Sequence, residues 1–121
     1  GILKFEKLLA ENHTKTKYGH FLVFLKTGNQ FVGYAKLVET NTDIAELGYM
    51  FLPEYWGKGF GKEVSEKLTE YSKTITELKK VIAIIDPENE ASKKILLKCG
   101  FHHHETCTMD GLPAGIYHLI P

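Results

Sequence analysis

The chain has 121 residues, 43% of them hydrophobic and 25% charged, and its fifteen basic residues balance fifteen acidic ones. That is enough chain for one domain with a real core, and too apolar a composition for a disordered segment. No stretch nears the roughly 18 apolar residues of a membrane span, and there is no basic excess of the kind a dedicated nucleic-acid binder carries. No charged-then-apolar leader opens the chain. Every one of the fifteen basic residues is Lys. An anion must therefore be held by Lys, backbone N–H groups or helix ends, because the bidentate Arg fork is missing. Two cysteines, Cys99 and Cys107, are too few for a disulfide framework and point to a reduced, cytoplasmic setting.

No repeat, low-complexity tract or linker interrupts residues 1–121, so a single domain is expected. Leu3, Phe5, Leu8 and Leu9 among charges predict a short amphipathic helix over Leu3 to Glu11. Phe21 to Leu25 is a short apolar run rich in β-formers and reads as a buried strand. A turn at Thr27-Gly28-Asn29-Gln30 joins it to a second strand, Phe31 to Val38, as a hairpin. After the turn Asn41-Thr42-Asp43, a third strand runs from Ile44 to Leu52 and stops at Pro53. Phe60, Val64, Leu68, Tyr71 and Ile75 recur at helical spacing and predict a helix from about Gly59 to Lys73. Val81 to Ile85 is a β-branched run suited to a central strand, and Ala91 to Cys99 reads as a second helix stopped by Gly100. Phe101 to Met109 and Ile116 to Ile120 close the chain as a hairpin around Asp110-Gly111-Leu112-Pro113. The expected order is α-β-β-β-α-β-α-β-β. This is an α/β fold with a mixed sheet flanked by helices, parallel where a helix crosses over.

The chemistry concentrates in Trp56-Gly57-Lys58-Gly59-Phe60-Gly61-Lys62, which lies between a strand and an amphipathic helix. Alternating glycines allow positive φ and close approach of a ligand to the backbone. A helix start adds unpaired N–H groups and the positive end of the dipole, so the segment suits a phosphate or pyrophosphate. A plain tight corner is the alternative. The spacing is not Gly-x-x-x-x-Gly-Lys-Ser/Thr, so it is not a P-loop, and it is not Gly-x-Gly-x-x-Gly with a following acidic residue, so a dinucleotide fold is unsupported.

Trp56-Gly57-Lys58-Gly59-Phe60-Gly61 resembles the acyl-CoA signature Arg/Gln-x-x-Gly-x-Gly/Ala of the GCN5-related N-acetyltransferases, with Trp56 in the Arg/Gln position. The longer string Gly48 to Gly59 is similar to the ribosomal-protein N-terminal acetyltransferase branch of that family. So is Asn89-Glu90-Ala91-Ser92 followed by Lys98-Cys99-Gly100-Phe101, and so is the closing Asp110-Gly111 with Tyr117-His118-Leu119. The resemblance implies acetyl transfer from acetyl-CoA to a primary amine, either a peptide N-terminus or a small molecule, in a ternary complex. A non-catalytic acyl-CoA-binding or regulatory module of the same fold is the alternative, and a plain structural α/β domain is a third.

Residue by residue, the resemblance implies that the strand carrying Tyr49, Met50 and Phe51 holds the pantetheine arm. It implies that the N–H groups of Gly57, Lys58, Gly59, Phe60, Gly61 and Lys62 hold the pyrophosphate beside Trp56, with charge from Lys58 and Lys62 unless these are only a solvated face. Asn89 would bond the pantetheine or thioester region, or only cap its helix. Glu46 stands as general base, or as a plain surface carboxylate. Ser92 stands as proton donor to the leaving thiolate, or as a first-turn residue satisfying the backbone. The Tyr that many members place seven residues after the Asn is replaced by Leu96, and Tyr117 is a weaker substitute. The resemblance further implies that the family's usual first strand and helix are absent. A bare edge beside Phe21–Leu25 would then favour a homodimer. His102, His103 and His104 with the two cysteines suggest zinc only weakly, since neighbouring strand residues point to opposite faces.

Overall fold

The computed structural model describes residues 1–8 and 18–121. The strands are β1 (Leu3–Lys7), β2 (Gly19–Leu25), β3 (Phe31–Asn41), β4 (Ile44–Phe51), β5 (Lys80–Ile85), β6 (His102–Met109) and β7 (Leu112–Leu119). Helix α1 (Phe60–Ser72) follows a 3-10 turn at Pro53–Tyr55, and α2 (Glu90–Lys98) follows β5. One seven-stranded sheet has the order β1-β2-β3-β4-β5-β7-β6. Among the described residues its only parallel pair is β4 with β5, the two strands that α1 links; the other pairs are antiparallel. The expected hairpin, central strand, both helices and closing hairpin are all present, and the mixed α/β class holds.

The first element differs from expectation. Leu3–Lys7 is a strand, not a helix, and pairs antiparallel with β2 from Leu3 opposite Leu25 to Lys7 opposite Phe21. The deciding pattern is the alternation of Leu3 and Phe5 with Lys4 and Glu6. Leu3 is 2% exposed and Phe5 packs against the core, whereas Leu8, counted toward a helical face, is 47% exposed. Leu9 to Glu11, the rest of the expected helix, lie outside the described residues. Since β1 covers the outer side of β2, the edge beside Phe21–Leu25 is not bare, and the reason given for a homodimer falls away.

Residues opposed across the ladder point to the same face, so the register sorts the sheet into two sides. Val23, Ala35, Leu37, Ala45, Leu47, Val81 and Ala83 share the buried side with Phe60, Val64 and Leu68 of α1, Leu96 of α2, and Phe101. The two helices lie side by side there. The opposite side carries Lys36, Val38, Glu46, Ile82 and His118 at the alternating positions, none of them fully buried.

Two outcomes test this arrangement. Leu3→Ala removes a buried strand residue and should cost about 2–5 kcal/mol, whereas Leu8→Ala should stay within about 0.5 kcal/mol, both read by urea unfolding. On β7, beside the edge strand β6, burial and the nearby His104 and Lys80 charges hold His118 below the ordinary imidazole value of 6.5. The unfolded chain then binds the proton more readily. Stability from this group is whole above about pH 7, declines as pH falls through the unfolded value, and is fully lost below the lowered folded one. His118→Gln should flatten the fall in urea midpoint between about pH 7.5 and pH 5 relative to the unaltered protein.

Candidate active site

The site begins where a ladder ends. β4 and β5 pair from Ile44 opposite Lys80 to Leu47 opposite Ala83, and no further. Beyond that point β4 still pairs with β3 through Gly48 to Phe51, but its other side faces a gap. Backbone N–H and C=O groups bordering such a gap require partners, and an extended ligand bearing amides can supply them. A cavity of about 760 Å³ fills the splay. Its walls are Leu47 to Phe51 of β4, Ala83 to Asp86 at the end of β5, the glycine segment, and the first turns of α2.

The glycine segment is built by local geometry. Gly57 has φ +73° and Gly59 has φ +83°, and an added Cβ would meet nothing within 4 Å at either. These positions therefore need glycine for backbone conformation and not for space. Gly59 is the N-cap of α1 and gives it no side-chain cap; the first helical bond runs from the Glu63 N–H to the Gly59 carbonyl at 3.2 Å. The N–H groups of Phe60, Gly61 and Lys62 thus precede the helical ladder, and all three residues line the cavity. Gly61 has a different reason: a Cβ there would stand 3.0 Å from the Tyr49 hydroxyl. Beneath the segment lie the rings of Phe51, Phe60 and Tyr55, with Phe51–Phe60 centroids at 5.9 Å and Tyr55–Phe60 at 6.1 Å. Trp56 is 67% exposed, yet its indole N–H donates to the Phe51 carbonyl at 2.8 Å, tying the segment back to the end of β4.

Across the cavity, Asn89 is the N-cap of α2, and its side-chain oxygen accepts from the Ser92 N–H at 3.0 Å. The capping reading of Asn89 is therefore realised, and the side chain still borders the cavity. Ser92 is 9% exposed and lies on the same wall, next to Leu96.

Eleven of the expected residues, Tyr49, Met50, Phe51, Trp56, Gly57, Gly59, Phe60, Gly61, Lys62, Asn89 and Ser92, surround this one cavity. Lys58 is exposed and not on its wall. Glu46 is also off the wall. It lies one residue before the last parallel pair, on the sheet side away from α1 and α2, with Oε2 3.3 Å from Lys36 Nζ. Tyr117 is 3% exposed, packs edge-on against His103 and does not reach the cavity. Sequence reasoning missed Tyr55 and Asp86 as lining residues. Asp86 had a signal, since ligands gather at the carboxyl ends of strands; Tyr55 had none beyond its place before the glycines.

The histidines separate as strand alternation requires. His104 stacks on His118 with centroids 4.0 Å apart, while His103 turns to Tyr117 and Thr106. Among the described residues no three His, Cys, Asp or Glu side chains converge to hold a metal. Cys99 and Cys107 are free thiols. No described helix is long and apolar enough to cross a membrane.

Comparison with known proteins agrees with this geometry. The profile of the Acetyltransferase (GNAT) domain matches residues 3–102. The chain is 30% identical over 95 residues to the uncharacterized protein YkkB of Bacillus subtilis (strain 168), covering 76% of this chain and 55% of that protein. It is 37% identical over 71 residues to spermidine N(1)-acetyltransferase of Escherichia coli (strain K12), covering 57% of this chain and 38% of that enzyme. The chain thus spans about half or less of these relatives. Among solved structures it superposes on a GNAT-family acetyltransferase from Bacillus anthracis with a TM-score of 0.73 at 25% identity, covering 84% of this chain and 65% of the other. With the family's domain pattern matched over most of its length and a fold shared with a solved GNAT-family acetyltransferase, this chain belongs to the GNAT acetyltransferase domain family.

Proposed function

We propose that this protein is an acetyl-CoA-dependent N-acetyltransferase that passes the acetyl group directly to a primary amine in a ternary complex. The observation that supports this most is the continuous cavity joining an uncapped, glycine-rich helix start to a splayed strand pair. The N–H groups of Gly57 to Lys62 would take the pyrophosphate, with Lys62 adding charge at the wall. The free side of Gly48 to Phe51 would pair with the amides of the pantetheine arm, placing the thioester toward the apex at Leu47 and Ala83.

In the reaction, the amine nitrogen attacks the thioester carbonyl carbon. The C–N bond forms and the C–S bond breaks. The ammonium proton leaves to a base, for which Glu46 is the carboxylate nearest the apex on the sheet side away from the helices. The departing thiolate takes a proton, for which the Ser92 hydroxyl is the candidate donor on the cavity wall. The acceptor is a peptide N-terminus, as the resemblance to the ribosomal-protein branch suggests, or a small-molecule amine, as the name of the spermidine-acetylating relative suggests. Leu96 in place of a tyrosine favours the second reading, a non-catalytic acyl-CoA-binding module.

Titration calorimetry should show acetyl-CoA binding, weakened about two- to fivefold in Lys62→Ala, the range for one exposed charge contact. No binding at millimolar ligand removes both CoA readings. A thiol-release assay over peptide and small amines separates enzyme from module. Glu46→Gln should lower turnover about a hundredfold or more and leave acetyl-CoA affinity within about twofold; unchanged turnover removes Glu46 as base.

A further inference from the structure

Glu46 is held by a specific neighbour. Lys36 Nζ lies 3.3 Å from Glu46 Oε2, with the two side chains 28% and 23% exposed. These residues are not opposed in the ladder, because Lys36 faces Gly48 and Val38 faces Glu46. The Lys36 side chain therefore runs diagonally across β4 to reach the carboxylate. Gly48 allows that path: a Cβ on it would stand 3.0 Å from Lys36 Cε. Gly48 is also the first residue of β4 beyond the last parallel pair and lines the cavity. A cation and an anion thus sit side by side on the sheet side away from the helices, one residue before the parallel ladder ends, with apolar Val38 and Ile82 opposite Glu46 on the two neighbouring strands.

We propose that Lys36 is a specificity-determining residue that selects acceptors carrying a carboxylate next to the amine, namely α-amino acids, over polyamines. The proposal rests on the acetyltransferase reading and on Glu46 as base. A partly exposed ion pair contributes little by itself, so a substrate can enter between its members at small cost. A zwitterionic α-amino acid places its ammonium on Glu46 and its carboxylate on Lys36, replacing one ion pair by two. A polyamine satisfies Glu46 but brings its further positive charges against Lys36, and a like charge at a recognition site is a means of rejection. Val38 and Ile82 fit an apolar amino-acid side chain better than a charged one.

The test compares matched acceptors by thiol release: leucine with isoamylamine, phenylalanine with phenethylamine, and spermidine. The expected result is at least a tenfold preference in kcat/KM for the amino acid of each pair and a poorer rate with spermidine. Lys36→Met should bring each ratio within about threefold through the acceptor KM, with the acetyl-CoA KM within twofold, and Lys36→Arg should retain the preference. A thermal melt shows that the variants fold. Preference for spermidine or the decarboxylated amines, activity on peptide N-termini alone, or an unchanged ratio in Lys36→Met overturns the proposal. Acetyl-CoA binding with no thiol release from any amine removes the enzyme reading instead, and this proposal with it.

Discussion

The parallel ladder between β4 and β5 stops at Leu47 and Ala83, and the rest of the site depends on that stop. A backbone that leaves a ladder keeps its polar groups, and those groups need partners. β4 satisfies one side through β3 as far as Phe51 opposite Gly33 and presents the other to the gap. An extended ligand with amide groups is the natural occupant. The same departure leaves room for the start of α1 to face the cavity, so that strand backbone and helix N–H groups line one continuous surface.

The absence of Arg gives this surface its character. With fifteen Lys and no guanidinium, anion binding falls to backbone donors and point charges. Gly57 and Gly59 hold φ values that side chains rarely adopt, Gly61 makes room for Tyr49, and the Trp56 indole ties the segment to the Phe51 carbonyl. The N–H groups are thereby fixed in direction by covalent geometry and one hydrogen bond, with little side-chain entropy left to lose. The two sides of the sheet divide the remaining work. The side toward α1 and α2 supplies the core. The other side carries the Glu46–Lys36 ion pair.

Much of this was legible in residue order. Apolar, β-rich runs bounded by turn residues placed six strands, and helical spacing with its stop signals placed both helices, even though β6 itself buries no face. The glycine segment and Asn89 with Ser92 were legible because their roles are local: positive φ, a helix start, a cap. Leu3–Lys7 was misread because its alternation spans only five residues. A helical spacing using Leu8 and Leu9 competed with it, and the unpaired outer side of β2, a partner far along the chain, decided the matter.

The sequence by itself determined that a mixed α/β domain would carry a glycine-rich turn at the start of the helix beginning near Gly59, since backbone conformation and hydrophobic period are properties of neighbouring residues. Tertiary structure alone decided which side of β4 each polar group serves. Glu46 and Ser92 are both candidates for proton transfer, yet Ser92 stands on the cavity wall while Glu46 stands off it on the sheet side away from the helices. Lys36 had no signal at all, being ten residues before Glu46 and opposed to Gly48 instead. Its contact exists because the register brings a glycine beside it and leaves the path across β4 clear, and register is fixed only when the whole sheet closes on its core.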